Sequence, residues 1–117
     1  MVKIELKDIS EMKTFEKYGD TFKQMRNNPE TGWWLYERTN NESGRQHYEV
    51  VRGVKRKNPD GTTVYAYPSS EMWGTYGYSI MKNWYAEKLI DYIMEAKSRT
   101  AQEIHDFKSS LICSYSF

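Results

Sequence analysis

Arg52, Lys55, Arg56 and Lys57 crowd into one short stretch, and Arg38, Arg45, Tyr65 and Tyr67 flank them on neighbouring segments. Cations for phosphates beside rings on which unpaired bases can stack are the chemistry of a single-strand nucleic-acid grip. Lys and Arg at the end of a hairpin also keep a sheet edge from pairing with other strands. The near-neutral remainder of the chain favours that plainer role.

Catalytic chemistry finds less support. His47 and His105 lie far apart, with no Cys or carboxylate at a spacing typical of zinc ligation. Glu103, His105 and Asp106 crowd one predicted helix, where adjacent residues point in different directions, so they read as a solvated face. Cys113 has no companion base and reads as a small hydrophobe. No Ser or Thr stands in a nucleophile-elbow context. No catalytic residue, metal ligand or cofactor is assigned, and the chain reads as a non-enzyme.

Trp73-Gly74-Thr75-Tyr76-Gly77-Tyr78 places two glycines three apart, as in loops that clamp an RNA backbone, but the basic residues such a loop carries are missing. A turn that folds aromatics over the core is the simpler reading. Trp73, Tyr76, Tyr78 and Trp84 could together line an aromatic pocket for a planar, nucleotide-like ligand.

These residues sit in a chain of 117 residues, read as a single domain spanning positions 1–117. Leu, Ile, Val and Phe are scarce, but the net charge is only +1, and 4 Trp, 10 Tyr and 6 Met supply apolar area in their place. The core should therefore be aromatic and sulfur-rich. Near neutrality excludes a strongly basic nucleic-acid coat and a strongly acidic DNA mimic. No apolar run approaches the roughly 18 residues of a membrane-spanning helix, so no membrane partner is expected. Met1 to Glu5 lacks the basic and apolar blocks of a secretory signal, and the single Cys cannot form an internal disulfide; the expectation is a reducing, cytoplasmic setting.

The periodicities predict an α+β fold. Val2, Ile4 and Leu6 alternate as in a short strand. Ile9, Met12, Phe15, Tyr18, Phe22 and Met25 recur at spacings of three and four, predicting a helix behind an Asp8–Glu11 capping box, with Gly19-Asp20 as a point where it could split. Trp33 to Thr39, Gln46 to Arg56 and Thr62 to Tyr67 predict a three-stranded antiparallel meander, with Asn58-Pro59-Asp60-Gly61 as its second turn and Gly53 as a bulge. Ser79 caps a predicted long helix with an apolar stripe of Met81, Tyr85, Leu89, Tyr92, Ile93 and Ala96. Thr100 and Glu103 form a second capping box that divides this C-terminal region in two, although Thr100, Ile104, Phe107 and Leu111 also continue a heptad-like stripe. The helical region should pack on one face of the sheet.

Trp34-x-Tyr36-Glu37-Arg38, Tyr48-Glu49-Val50-Val51-Arg52 and the run from Tyr67-Pro68-Ser69-Ser70 through Glu71-Met72-Trp73-Gly74-Thr75-Tyr76-Gly77 resemble small uncharacterised accessory proteins of phages and mobile elements. The resemblance spans residues 33–90. It implies an accessory protein that binds a host or element component, with no catalytic residues to carry across. Exposed Trp, Tyr and Arg dominate binding hot spots, so the expected function is non-catalytic protein binding, of an inhibitor or accessory type. The expected surface is Trp33, Tyr36, Arg38, Arg52, Lys55, Arg56, Lys57, Tyr65 and Tyr67. Homodimerisation through the aromatic sheet face or the heptad-like stripe, and single-strand nucleic-acid binding by the basic meander, stand beside it as alternatives.

Overall fold

The computed structural model describes residues 6–115 and is α+β. Seven strands run β1 (Thr14–Lys17), β2 (Asp20–Asn28), β3 (Trp33–Asn40), β4 (Gln46–Arg52), β5 (Val54–Lys57), β6 (Thr63–Ala66) and β7 (Gly77–Met81). Two helices follow, α1 (Ala86–Met94) and α2 (Ala101–Tyr115). Five strands form one antiparallel sheet in the order β1-β2-β3-β4-β7, and β5 with β6 makes a separate two-stranded ribbon. The alternation predicted for residues 2–6 falls mostly outside the described residues.

Where a helix was expected after residue 9, the chain makes only a short 3-10 turn at Ile9–Glu11 and then a hairpin. Asp8 does cap that turn, its carboxylate accepting from the Ser10 amide at 3.0 Å. The hairpin wins because Tyr18 and Gly19 both take left-handed backbone, at φ 57 and 77°, and close a two-residue turn between the paired Lys17 and Asp20. Phe15 then faces Phe22 across the strands, rings stacked 4.6 Å apart. A three-four spacing of apolar residues had two readings here, and cross-strand ring packing satisfied the second.

Gly53 does more than bulge the second strand: it ends it. β4 stops at Arg52, β5 begins at Val54, and the two belong to different sheets. A Cβ at Gly53 would come within 2.7 Å of Tyr65 Cβ, so only glycine lets β6 cross here. The third strand predicted for the meander therefore pairs with β5 instead of β4, and β7 takes the vacant edge beside β4, Val50 opposite Tyr78 and Tyr48 opposite Ile80. The predicted long helix loses its first turns to β7, because Tyr78 and Ile80 alternate inward with a period of two. The break between helices stands where the second capping box put it. The Thr100 amide donates to Glu103 Oε1 at 3.0 Å, and the Glu103 amide donates to Thr100 Oγ1 at 3.1 Å.

Both faces of the sheet are covered, by different means. On one, Trp33, Leu35, Val50, Tyr78 and Ile80 pack against Leu89, Ile90, Ile93 and Met94 of α1. Each such fully buried side chain contributes about 1.5–3 kcal/mol. Ile104 and Phe107 of α2 join this cluster, Phe107 stacking on Tyr92 at 4.0 Å. On the opposite face, Phe22, Tyr36 and Val51 are capped by Ile9 and by Phe15, Trp34, Tyr67 and Trp73. The expectation of an open aromatic sheet face is thereby corrected: Trp33 and Tyr36 are both 0% exposed.

Candidate functional site

Register dictates what meets on the helix-free face. Phe22 pairs with Arg38, Arg38 with His47, and Tyr36 with Glu49, so these side chains point the same way. Asp20, at the start of β2, falls on that face as well. The result is a partly buried ionic network. Arg38 Nε donates to Asp20 Oδ2 at 2.5 Å and Arg38 Nη1 to Glu49 Oε1 at 2.6 Å. Asn40 Nδ2 donates to Asp20 Oδ1 at 2.9 Å. The Tyr67 hydroxyl donates to Glu49 Oε2 at 3.0 Å, and His47 Nε2 lies 3.3 Å from Glu49 Oε1. The Glu49 side chain is only 2% exposed, so its charge depends on these partners.

The electrostatics follow from the geometry. The Arg38 hydrogen bond holds the Asp20 carboxyl below the ordinary carboxylate range. Burial opposes the charge of Arg38, but its hydrogen bonds to Glu49 and Asp20 outweigh that and raise its pKa. Burial, and next the charge of Glu49, push the Tyr67 phenol far upward.

Above the network lies a cleft of about 450 Å³. Phe15, Phe22, Tyr67 and Trp73 line it together with Arg38 and Glu49, and the exposed Lys17, Ser70 and Glu71 lie at its mouth. Trp73 is positioned by its indole N–H, which donates to Ser79 Oγ at 3.0 Å, and by Gly77, where a Cβ would meet the indole ring at 2.6–2.9 Å. Among the described residues no group of three or more His, Cys, Asp or Glu is placed to hold a metal ion.

The predicted binding residues scatter. Trp33 anchors the helices, its indole N–H donating to Ala96 O at 2.6 Å, and Tyr36 is sealed on the opposite face, its hydroxyl donating to Met12 O at 2.8 Å. Arg52 lies over Trp33 and Tyr76, with centroid distances of 5.6 and 5.7 Å. Lys55, Arg56 and Lys57 are exposed on the ribbon, and Tyr65 pairs across it with Lys55 at 50% exposure. Tyr67 lies in the cleft with Arg38.

The four-residue aromatic pocket does not assemble. Trp73 lines the cleft, Tyr76 lies under Arg52, and the Tyr78 hydroxyl lies within hydrogen-bond distance of both Gly74 O and Arg99 O, at 2.7 and 2.6 Å. Trp84 borders a second groove, of about 470 Å³, on the helical side. That groove has Leu35, Tyr48 and Ile90 along it, with Met25 and Trp84 exposed at 47% and 55%. A β-bulge between Gln24 and Arg26 leaves Met25 out of the ladder beside this groove.

Sequence reasoning missed Asp20, Phe15 and Phe22 because it placed residues 9–25 in a helix, and Glu49 because only the strand register brings it beside Arg38. The Gly19 turn was the signal that could have found the first three. Comparison with known protein families, curated proteins and solved structures finds no match to this chain.

Proposed function

We propose that this protein is a non-catalytic protein-binding module of accessory or inhibitor type, and that its adhesive surface is the groove between Met25 and Trp84. One observation carries the reading: two large apolar side chains, Met25 and Trp84, stand exposed along a groove that Leu35, Tyr48 and Ile90 also line, and two of its three charged residues, Arg26 and Lys82, are ion-paired. Arg26 is paired with Asp91 at 2.5 Å and Lys82 with Glu37 at 2.7 Å. A partner that docks here covers the apolar area of Met25 and Trp84 and meets charges that are paired except for Glu87, the anatomy of an interface with an apolar centre and a polar rim. The occupant is a protein segment that inserts one large aliphatic or aromatic side chain between Trp84 and Met25. The adhesive rings thus differ from those the alternation pointed to, since Trp33 and Tyr36 are spent on the core.

The test compares the wild type with a Met25→Ser/Trp84→Ala variant in affinity capture from extracts of the source cells, with light scattering on both. A partner retained by the wild type and lost by the variant, at equal melting temperature, supports the reading. Capture that the variant leaves unchanged overturns it. Self-association that the variant abolishes assigns the groove to a second copy.

Single-strand nucleic-acid binding by the ribbon is the second reading. Lys55, Arg56 and Lys57 make no ion pair among the described residues, beside the exposed Tyr65 ring. Titrating labelled oligonucleotides at two salt concentrations tests it, and absence of binding at low salt removes it.

A further inference from the structure

We infer that the cleft on the helix-free face is a binding site for a planar, uncharged heterocycle of nucleobase type, held by a ring carbonyl that accepts from Arg38 Nη2. The inference is independent of the groove at Met25 and Trp84, which lies on the other face.

The donor is the first observation. Nε and Nη1 of Arg38 are committed to Asp20 and Glu49, but Nη2 has no acceptor among the described residues. No side-chain nitrogen or oxygen there is both buried and unpaired, so Nη2 keeps solvent access, and Arg38 lines the cleft. A guanidinium fixed on two sides offers its remaining edge in one orientation, the preorganisation that makes Arg a selective donor.

Charge selects the acceptor. Two carboxylates, Asp20 and Glu49, already face the single guanidinium, so the floor carries an excess negative charge behind Nη2. A phosphate or carboxylate seated there would add a third anion to one cation, and like charges at such range oppose it. A neutral carbonyl accepts the same hydrogen bond without that penalty. Any anionic tail is left at the mouth, near Lys17.

Shape selects the body. Phe15 and Phe22 stack on each other with 7° between planes, the Tyr67 ring stands edge-on to both, and Trp73 lies 6.4 Å from Tyr67, so aromatic rings make up much of the cleft's lining. Aromatic walls around one fixed polar group define a site for a flat ring, and about 450 Å³ is room for one heterocycle with a sugar. The Ser70 hydroxyl at the mouth can meet the sugar.

Titration of the labelled protein by NMR with uridine, guanosine, indole and benzoate tests this. Uridine or guanosine should bind saturably, shifting the Arg38 side-chain resonance and the amides of residues 69–71. Indole, which has no carbonyl, and benzoate, which brings a charge, should each bind about tenfold more weakly, the loss of one hydrogen bond. Ser70 is exposed, so Ser70→Trp should block the mouth at an unchanged melting temperature and weaken nucleoside binding about tenfold or more. A short single-stranded oligonucleotide, run in parallel, separates the sources: if it produces the same shifts as the nucleoside, the ligand is a base within a strand, and if not, a free nucleoside or nucleotide. No saturable nucleoside binding, benzoate binding as tight as uridine, or full binding by Ser70→Trp would each overturn the inference.

Discussion

Replacing Tyr67 with Phe deletes one oxygen and keeps the ring that packs edge-on against Phe15, Phe22 and Tyr36. The lost hydroxyl is the hydrogen-bond donor to Glu49 Oε2, on a side chain that is 2% exposed. A hydrogen bond to a charged group is worth about 1.5–3 kcal/mol, against about 0.5–1.5 kcal/mol between neutral partners. Tyr36→Phe supplies the neutral comparison, because that hydroxyl donates to the Met12 carbonyl and accepts from Gln24 Nε2. At about 4 °C per kcal/mol for a domain of this size, Tyr67→Phe should lower the melting temperature by about 8 °C and Tyr36→Phe by about 4 °C. Urea unfolding of both variants should give unchanged m values, since neither alters the surface exposed on unfolding. A double-mutant cycle with Glu49→Gln isolates the pair, and its coupling should be about 1 kcal/mol or more. If Tyr67→Phe costs no more than Tyr36→Phe, or the cycle shows no coupling, then Glu49 does not depend on Tyr67 and the account of the network fails.

Alkali should act through the same group. An unfolded Tyr titrates near pH 10, whereas burial and Glu49 keep the Tyr67 phenol protonated well above that. Its stabilisation is complete below about pH 10 and drains as pH rises further, by about 1.4 kcal/mol per pH unit for the one proton. Urea midpoints measured across pH 9 to 11 should therefore fall less steeply for Tyr67→Phe than for the wild type. Gly53→Ala should cost about 1–3 kcal/mol in chemical denaturation, because the new Cβ meets Tyr65 Cβ at 2.7 Å, an atom fixed to the ribbon backbone. Thr100→Ala removes the acceptor of the Glu103 amide and should cost about 1 kcal/mol. That loss should be read as faster hydrogen exchange across the first turn of α2.

The elements that were legible in the sequence are those whose local signals agree with one another. The Trp33 strand, the Asn58 to Gly61 turn and the break before α2 each carry a propensity and a punctuation that point the same way. The turn closes with the Gly61 amide donating to Asn58 O at 2.9 Å, and Gly61 takes φ 91°. Residues 9–25 were misread because their apolar spacing fits a helix as well as a hairpin, and only the partner strand decides. β7 was hidden for the same reason: a strand of five residues abutting a helix shares its apolar positions with that helix. The site fared worse than the fold. Arg38 and Tyr67 were singled out as a surface, yet Asp20 and Glu49, which turn them into a network, come from two other strands. No spacing along the chain encodes that meeting; it arises from the register of β2, β3 and β4 together.

The scarcity of aliphatic residues explains why the two faces differ. Leu35, Val50, Ile80, Leu89, Ile90 and Ile93 all serve the helical face, which packs without polar side chains at its centre. What remains for the opposite face is Ile9, Val51 and rings, and rings of this size leave gaps beneath them. Arg38 fills the gap, lying over the Phe22 ring at 4.7 Å, and its charge in turn requires Asp20 and Glu49. A network built only to fill space would be roofed over, because an arginine edge left in a half-open cavity adds nothing to packing. Here Trp73, which packs on the cluster beside Tyr67, is fixed in place by the Ser79 hydroxyl and by the absence of a side chain at Gly77. Those contacts fix Trp73 at the edge of the cleft that Arg38 also lines, which is the physical reason to test that cleft for binding.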